Sequence, residues 1–266
     1  MNKEIMNLWK TVPGEYEEQP KITAYVPDEK KSDCAVVILP GGAYAMRAPH
    51  EGEGYAKYFC ENGITAFVVD YRVAPHKFPL PLLDARRGVK FARYYAEKYG
   101  INKNKVAIMG SSAGGHLAAL TSTYYENIEC ESNDEIDKED FIPNAQILCY
   151  PVIKLLGKGI GHLGSGANLL GDKQAELGEE LSPDNIVSKR TPQAFIWHTM
   201  ADDCVNVINS LDYAKSLRLN NIGAEIHIFP DGHHGLGLAD SGENKVLRHV
   251  SKWAPLMIDW LKYIGF

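Results

Sequence analysis

Apolar runs and helical patterns alternate along the chain. Short runs rich in β-branched and aromatic residues predict strands at residues 22–26, 34–39, 64–71, 105–110, 145–150, 194–198 and 224–229. Apolar positions at helical spacing predict helices over 81–99, 206–219 and 244–264, and Pro255 should kink or break the last of these. Strands that alternate with helices are typical of βαβ units around a largely parallel sheet. The pattern therefore predicts an α/β fold.

Two stretches interrupt this alternation. Residues 156–171 contain six glycines, too many for a regular element, and predict either a loop that lines a substrate cleft or a plain flexible connection. Residues 126–140 are rich in Asp and Glu without the spacing of a calcium loop, and predict a solvated acidic excursion on the surface. We find no repeat or linker that divides the chain, so residues 1–266 are expected to form one domain.

Composition narrows the functional classes. The chain has 266 residues, of which 45% are hydrophobic and 23% charged, as in ordinary globular proteins, and no apolar run is long enough to cross a bilayer. The net charge of −6, without a basic cluster, argues against nucleic-acid binding. The five cysteines are scattered and form no C-x-x-C pair, which argues against a disulfide framework or a zinc site. The first nine residues lack the apolar region of a secretory signal, so we expect a cytoplasmic protein without a membrane partner.

The strongest chemical signal follows the predicted strand at 105–110. The sequence Gly110-Ser111-Ser112-Ala113-Gly114 lies between this strand and a helix-compatible run at 117–120. A G-x-S-x-G pattern between a strand and a helix is typical of a nucleophile elbow, in which a sharp turn exposes the central hydroxyl. Ser112 is therefore the candidate nucleophile.

A serine nucleophile needs a base, and the base needs a carboxylate that orients it. In the order serine, acid, histidine, the acid follows a later strand. Asp202 and Asp203 both lie just past the strand at 194–198, and from position alone either one is a candidate. His198, at the end of that strand, is expected to hold the acid loop by hydrogen bonding.

The base is expected after the last strand, where His233 and His234 occur together. His234 precedes Gly235, whose flexibility lets the imidazole project, and is favoured on that ground, while His233 is an alternative or a neighbour on the rim. The oxyanion donors should be backbone N–H groups, one from Ala113 and others from the turn after the strand at 34–39, which places Gly42 and Ala43 there.

Taken together, these segments resemble serine esterases of the α/β-hydrolase superfamily, among them acetyl esterases, acetylxylan-esterase-like enzymes and relatives of hormone-sensitive lipase. The segments that carry the resemblance are 40–44, 70–72, 79–87, 110–116, 198–205 and 229–235. The resemblance implies a mostly parallel central sheet with helices on both faces. The family's H-G-x-x-D-x-x-V pattern places the acid on Asp202, and its G-x-H-G pattern places the base on His234.

The resemblance also implies a reaction and a substrate class. We expect Ser-His-Asp acyl transfer to water, without a metal or cofactor, and a short acyl ester of a small molecule or oligosaccharide as substrate. Residues 113–119 and 48–52 resemble the branch that contains sugar-ester deacetylases. Tyr44, Tyr71 and His233 are candidates for substrate contacts. The oligomeric state is open, with a homodimer as one option.

Alternatives remain at this point. A lipase, a feruloyl esterase or a serine peptidase would use the same residues on the same fold. A non-catalytic receptor with a hydrolase fold is an alternative of another class, since fold does not dictate function. Such a receptor is expected to lose a member of the triad, and all three positions are filled here.

Overall fold

The computed structural model describes residues 1–14, 19–128, 134–240 and 244–266. Within these ranges eight strands form one sheet, in the spatial order β1-β2-β4-β3-β5-β6-β7-β8. The strands are β1 Asn2–Asn7, β2 Lys21–Val26, β3 Ala35–Leu39, β4 Thr65–Val69, β5 Val106–Ser111, β6 Ala145–Cys149, β7 Ala194–Thr199 and β8 Ala224–Phe229. The pairings from β4 through β8 are parallel, whereas β2 is antiparallel to both β1 and β4. The predicted mostly parallel sheet is confirmed.

The helices cover both faces of the sheet. They are α1 Pro49–Glu61, α2 Leu80–Tyr94, α3 Ser112–Thr123, α4 Leu163–Leu170, α5 Gln174–Leu177, α6 Ile208–Leu219, α7 Lys245–Val250 and α8 Trp253–Tyr263. Side chains of α2, α3 and α6 pack into one hydrophobic core, and those of α1 and α8 into a second. Along β3, Val37 belongs to the first core and Val36 to the second, because successive side chains of a strand point to opposite faces. Every residue of β3 is therefore buried.

The segment 156–171 differs from its prediction. It is not irregular throughout, since α4 occupies Leu163–Leu170. The imidazole of His162 caps this helix by accepting a hydrogen bond from the backbone N–H of Ser165. Leu169 and Leu170 are buried in the first core, and this burial compensates for the low helix propensity of the glycines.

Two other elements lie outside the sequence prediction. β1 is a half-exposed edge strand with the polar sequence NKEIMN, so it has no apolar run that would mark it. α1 contains two glycines and begins at Pro49, a residue that suits the first turn of a helix because its missing N–H needs no partner there.

The predicted break near Pro255 is confirmed. The C-terminal helical pattern divides into α7 and α8, with Ser251 and Lys252 between them. A proline ring clashes with the carbonyl group four residues earlier, which here belongs to Ser251. The break therefore lies one turn before the proline itself.

The acidic segment 126–140 is only partly solvated. Asp134 and Asp137 both bind the guanidinium of Arg87, whose side chain is 1% exposed. These two carboxylates thus neutralise a buried cation, which corrects the expectation of a simple surface excursion. Glu129 and Glu131 lie outside the described residues.

The described cysteines are free, as expected: Cys34, Cys60 and Cys149 are buried and Cys204 is exposed, while Cys130 lies outside the described residues. None of the helices in the described part of the chain is both long enough and apolar enough to span a bilayer.

Candidate active site

Ser112 lies at the junction of β5 and α3, at the carboxyl end of a central strand. Its φ angle is 52°, in the left-handed region that a residue other than glycine adopts only when the surroundings enforce it. The turn brings backbone segments so close together that a Cβ atom on Gly110 would lie 2.0 Å from the carbonyl oxygen of Gly114. A Cβ atom on Gly114 would lie 2.1 Å from the carbonyl oxygen of Leu39, at the end of β3. No larger residue than glycine therefore fits at these two positions of the motif.

The structure brings Ser112, His234 and Asp202 together in one hydrogen-bonded line. Nε2 of His234 lies 2.8 Å from Oγ of Ser112, and Nδ1 of His234 lies 2.7 Å from Oδ2 of Asp202. A carboxylate only accepts hydrogen bonds, so Nδ1 carries the proton and Nε2 presents a lone pair to the serine hydroxyl. The three residues follow β5, β7 and β8, whose carboxyl ends meet at the same edge of the sheet.

The carboxyl group of Asp202 is buried but fully bonded. Its side chain is 1% exposed, and Oδ1 accepts the backbone N–H groups of Cys204 and Val205 at 2.9 and 2.8 Å. Burial alone would raise the pKa of Asp202. Hydrogen bonds from His198 and His234, the charge of His234 and the N–H of Val205 outweigh that effect and hold the pKa well below its ordinary value. Asp202 is therefore ionised across the physiological range.

His198 holds the acid loop, as predicted. Its Nε2 lies 3.0 Å from the carbonyl oxygen of Val205 and 3.2 Å from Oδ2 of Asp202, and its Nδ1 lies 2.8 Å from Oγ of Ser210. Both neighbours of Nε2 are acceptors, so Nε2 carries the proton and Nδ1 accepts from the hydroxyl of Ser210. His198 has no exposed surface and fixes the acid from behind.

The backbone N–H groups predicted to bind an oxyanion are unpaired within the described residues. The N–H groups of Gly42, Ala43 and Ala113 form no hydrogen bond with another described residue. Gly42 and Ala43 have φ angles of 129° and 54°, so the chain turns sharply after β3. This turn is closed by the carbonyl oxygen of Gly42, which accepts the N–H of Ala45 at 2.9 Å. Unpaired backbone N–H groups are the donors that an oxyanion requires. Gly41, which precedes Gly42, lies so close to the nucleophile elbow that a Cβ atom on it would be 3.1 Å from Cβ of Ser112.

The side chains of Tyr44 and Tyr71 form hydrogen bonds that hold this turn. Neither side chain is exposed to solvent, and the hydroxyl of Tyr71 donates to the carbonyl oxygen of Pro40 at 2.5 Å. The hydroxyl of Tyr44 lies 2.8 Å from Nδ1 of His116, whose Nε2 bonds the carbonyl oxygen of Leu181 at 2.8 Å. Both tyrosines thus have buried, bonded hydroxyl groups, and their contact with a substrate stays a prediction.

The neighbours of the acid and the base point elsewhere. His233 is exposed, and its Nδ1 lies 2.7 Å from the carbonyl oxygen of His234. Asp203 is also exposed and accepts the backbone N–H of His234 at 3.2 Å, without contact to the imidazole. The geometry therefore assigns Asp202 and His234 to the line that ends at Ser112.

The segment with α4 contributes contacts that the sequence did not indicate. Asn168 donates to the carbonyl oxygen of Ala43 at 2.8 Å, and Nε2 of His162 lies 3.6 Å from Sγ of Cys204. The segment therefore touches both the turn after β3 and the acid loop. Among the described residues, no three His, Cys, Asp or Glu side chains are grouped so that they could hold a metal ion.

Comparison with known proteins places these features in a family. A model of the BD-FAE family matches residues 22–217. The chain is 38% identical to the endo-1,4-beta-xylanase B of Butyrivibrio fibrisolvens over 248 residues, which cover 88% of this chain and 38% of that protein. It is 32% identical to the acetylxylan esterase of Xylanibacter ruminicola over 241 residues, which cover 88% of this chain and 47% of that protein.

A solved structure matches almost end to end. The acetyl ester-xyloside bifunctional hydrolase from Caldicellulosiruptor lactoaceticus is similar with a TM-score of 0.90 and 38% identity, over 99% of this chain and 97% of that one. By contrast, the chain spans less than half the length of the two curated relatives named above. The sheet order and this similarity show the α/β-hydrolase fold that the resemblance predicted. Because the family model covers most of the sheet, Ser112 and Asp202, the chain belongs to the BD-FAE family.

Proposed function

We propose that this chain is a serine carboxylesterase that removes short acyl groups, above all acetyl, from carbohydrate esters. One observation carries this proposal. A continuous hydrogen-bonded line runs from Asp202 through both nitrogens of His234 to the hydroxyl of Ser112, with distances of 2.7 and 2.8 Å. In this reading Ser112 is the nucleophile, His234 the general base and Asp202 the acid that orients the base.

In the first step, Oγ of Ser112 attacks the ester carbonyl carbon while Nε2 of His234 takes the hydroxyl proton. The tetrahedral intermediate collapses when His234 gives this proton to the leaving alcohol, and the acyl group remains on Ser112. Asp202 keeps the proton of His234 on Nδ1 and stabilises the imidazolium that forms between the two transfers. In the second step, water takes the place of the serine hydroxyl and releases the acid.

The negative charge of each intermediate develops on the former carbonyl oxygen. The N–H groups of Gly42, Ala43 and Ala113 are the donors proposed to bind it, since they are unpaired within the described residues, Ala113 follows Ser112, and Gly41 brings the turn close to Ser112. Losing one such donor costs about 10²–10³ in kcat in other serine hydrolases. The hydrogen bond from Asn168 to the carbonyl oxygen of Ala43 supports this set, because it helps to hold the turn that carries two of the donors.

The substrate class rests on two further supports. Two of the relatives are an acetylxylan esterase and an acetyl ester-xyloside bifunctional hydrolase. In addition, the loops that carry the acid and the base present the exposed polar side chains of Asp203, Asn206 and His233. Such side chains suit the hydroxyl groups of a sugar better than a long acyl chain.

The catalytic assignment is tested with p-nitrophenyl acetate and a fluorophosphonate probe. We expect Ser112→Ala to lower kcat/KM by about 10⁴-fold or more and to abolish the covalent adduct, as loss of the nucleophile does in other triads. Native protein should form one adduct per chain. A folded Ser112→Ala protein that keeps its activity or its adduct would refute the assignment, and a native protein without an adduct would favour the receptor alternative.

The substrate is tested separately. p-Nitrophenyl acetate, butyrate and octanoate are compared first, followed by acetylated xylo- and manno-oligosaccharides, each with Ser112→Ala as the blank. The expected order is acetate, then butyrate, then octanoate, with release of acetate from at least one oligosaccharide. A preference for octanoate would favour a lipase, and activity on simple esters alone would exclude the carbohydrate substrate.

Two expectations from the sequence remain predictions, namely a single domain over residues 1–266 and residence in the cytoplasm. The oligomeric state remains open, with a homodimer as one option. The continuous eight-strand sheet supports the single domain within the described residues.

A further inference from the structure

Glu51 is a charged residue in the interior of the protein, directly behind the candidate active site. It lies in the first turn of α1, and only 2% of its surface is exposed. A buried carboxylate is unfavourable unless its oxygens are bonded. Both oxygens of Glu51 are bonded, and the two partners belong to different parts of the site.

The first partner is the turn that carries the proposed oxyanion donors. Oε2 of Glu51 accepts the N–H of Gly41 at 2.7 Å, and Gly41 immediately precedes Gly42 and Ala43. The approach is so close that a Cβ atom on Gly41 would lie 2.5 Å from this oxygen and 2.7 Å from the carbonyl oxygen of Ser111. Glu51 therefore holds the turn with the proposed donors Gly42 and Ala43 at a defined distance from Ser112.

The second partner leads to the base. The hydroxyl of Tyr150 donates to Oε1 of Glu51 at 2.6 Å and accepts the backbone N–H of Gly237 at 2.9 Å. Gly237 lies three residues after His234, and the ring of Tyr150 meets the imidazole of His234 edge to face, with 5.1 Å between ring centroids. The residue before Glu51 reaches the same loop, since Nε2 of His50 lies 3.0 Å from the carbonyl oxygen of Gly235.

The hydrogen atoms of this network have one consistent arrangement when Glu51 is a carboxylate. Tyr150 gives its proton to Glu51 and must accept from Tyr55, whose hydroxyl lies 3.3 Å away. Tyr55 in turn accepts from the hydroxyl of Ser111, at 2.9 Å. Burial and the neighbouring carboxylate raise the pKa of Tyr150 well above its ordinary value, so this hydroxyl remains a donor.

We propose that Glu51 is a positioning residue of the esterase, which sets the oxyanion donors and the imidazole of His234 relative to Ser112 through its bonds to Gly41 and Tyr150. The inference rests on the proposed catalytic roles of Ser112 and His234. Glu51 itself touches no reacting atom. It joins two loops that follow different strands, and a misplacement of about 1 Å in either loop costs up to about 10²-fold in rate.

The main test compares three folded variants with p-nitrophenyl acetate as substrate. Glu51→Ala removes both bonds, and we expect kcat to fall by about 10–10²-fold while KM changes by less than about threefold. Glu51→Gln keeps an oxygen for the N–H of Gly41 and an amide that can donate to Tyr150, so it should retain kcat within about fivefold. Glu53→Ala is the matched control, because Glu53 lies on the same helix and pairs with Lys3 and Lys57 at the surface. It should behave as the native protein.

A transition-state analogue separates positioning from a purely structural role. We expect Glu51→Ala to weaken the binding of a trifluoromethyl ketone, which forms a tetrahedral adduct, by the same factor as kcat/KM. Thermal unfolding followed by circular dichroism shows that each variant is folded at the assay temperature. If Glu51→Ala does not fold, Tyr150→Phe keeps the bond of Glu51 to Gly41 and the ring against His234 but removes the hydroxyl that joins Glu51 to Gly237, and kcat should then fall by about 5–20-fold.

The outcomes are distinct. A folded Glu51→Ala protein with native kcat, or equal losses in Glu51→Ala and Glu51→Gln, would overturn the inference about Glu51 while leaving the catalytic assignment intact. Where Glu51→Ala does not fold, native kcat in Tyr150→Phe would overturn it in the same way. An active Ser112→Ala protein would instead overturn the catalytic assignment, whatever the Glu51 variants do.

Discussion

Nε2 of His198 lies 3.2 Å from Oδ2 of Asp202, the same oxygen that faces the imidazole of His234. The acid is thus held between two histidines, of which one faces the nucleophile and the other is enclosed in the core. The enclosed histidine also bonds the carbonyl oxygen of Val205 and the hydroxyl of Ser210, so it connects the acid loop with α6. A fully buried residue therefore fixes the position of Asp202, the proposed acid.

Replacing His198 should affect stability and rate together. In His198→Asn the shorter side chain leaves buried polar groups of Val205 and Ser210 without partners, and we expect the free energy of unfolding to fall by about 1–3 kcal/mol. A misplacement of about 1 Å costs about 10²-fold in rate. Because we expect the loop with Asp202 to shift by less than that, kcat should fall by about 10-fold. Urea denaturation and p-nitrophenyl acetate hydrolysis measure the two effects. His249→Asn, on the exposed face of α7, is the control and should change neither.

The two adjacent aspartates should behave very differently. Asp202→Asn removes the acceptor of the Nδ1 proton and favours the wrong tautomer of His234, so kcat should fall by about 10⁴-fold. Asp203→Asn changes only an acceptor of a backbone N–H at 3.2 Å and should cost less than about tenfold. Steady-state kinetics of the matched pair decide the assignment. A larger loss in Asp203→Asn would show that the acid is misassigned.

His116 should make the protein sensitive to moderately acidic pH. Burial lowers the pKa of His116 from 6.5 to about 4. Between these two pH values His116 is therefore protonated in the unfolded chain and neutral in the folded protein. The stability from this group is therefore fully present above pH 6.5 and is lost as the pH falls toward about 4. The full shift corresponds to about 3 kcal/mol.

This pH dependence is measured as the free energy of unfolding at several pH values, for the native protein and for His116→Gln. The glutamine does not titrate, so its curve should be flatter than the native one between pH 6.5 and about 4. Parallel curves across this interval would show that His116 does not cause the loss.

Replacing Gly114 and Gly54 by alanine should change the stability of the protein in opposite directions. Gly114→Ala forces a Cβ atom to 2.1 Å from the carbonyl oxygen of Leu39, and the protein should lose about 3 kcal/mol of stability or fail to fold. In Gly54→Ala the new Cβ meets nothing within 4 Å, and the change lies in the middle of α1. It should raise the stability by about 0.5–1 kcal/mol, the usual gain from replacing a helical glycine. Urea midpoints of both variants measure these shifts, and a stable Gly114→Ala protein would contradict the crowding at the turn.

Local sequence was enough for the parts of this protein that local chemistry determines. The apolar runs marked β2 to β8 within two residues at each end. For β3 to β7, which are buried throughout, the reason is that a strand covered on both faces of the sheet is apolar on both sides. The G-x-S-x-G motif marked Ser112, because only small residues allow the turn after β5. The polar edge strand β1 and the helix α4 escaped detection, since tertiary contacts, and not intrinsic propensity, stabilise them.

The sequence by itself determined the α/β architecture, the candidate nucleophile and a short choice of partners. Position along the chain left Asp202 and Asp203, and His233 and His234, as alternatives, and the family patterns favoured Asp202 and His234. Only the tertiary structure shows that the side chains of these two residues form a hydrogen-bonded line with Ser112, because adjacent residues on a loop share a position in sequence but direct their side chains differently. Only the tertiary structure reveals the position of Glu51 as well, because this residue is 2% exposed although its charge favours the surface. Its partners Gly41 and Tyr150 lie 10 and 99 residues away, and no local pattern records bonds that form only when distant strand ends meet.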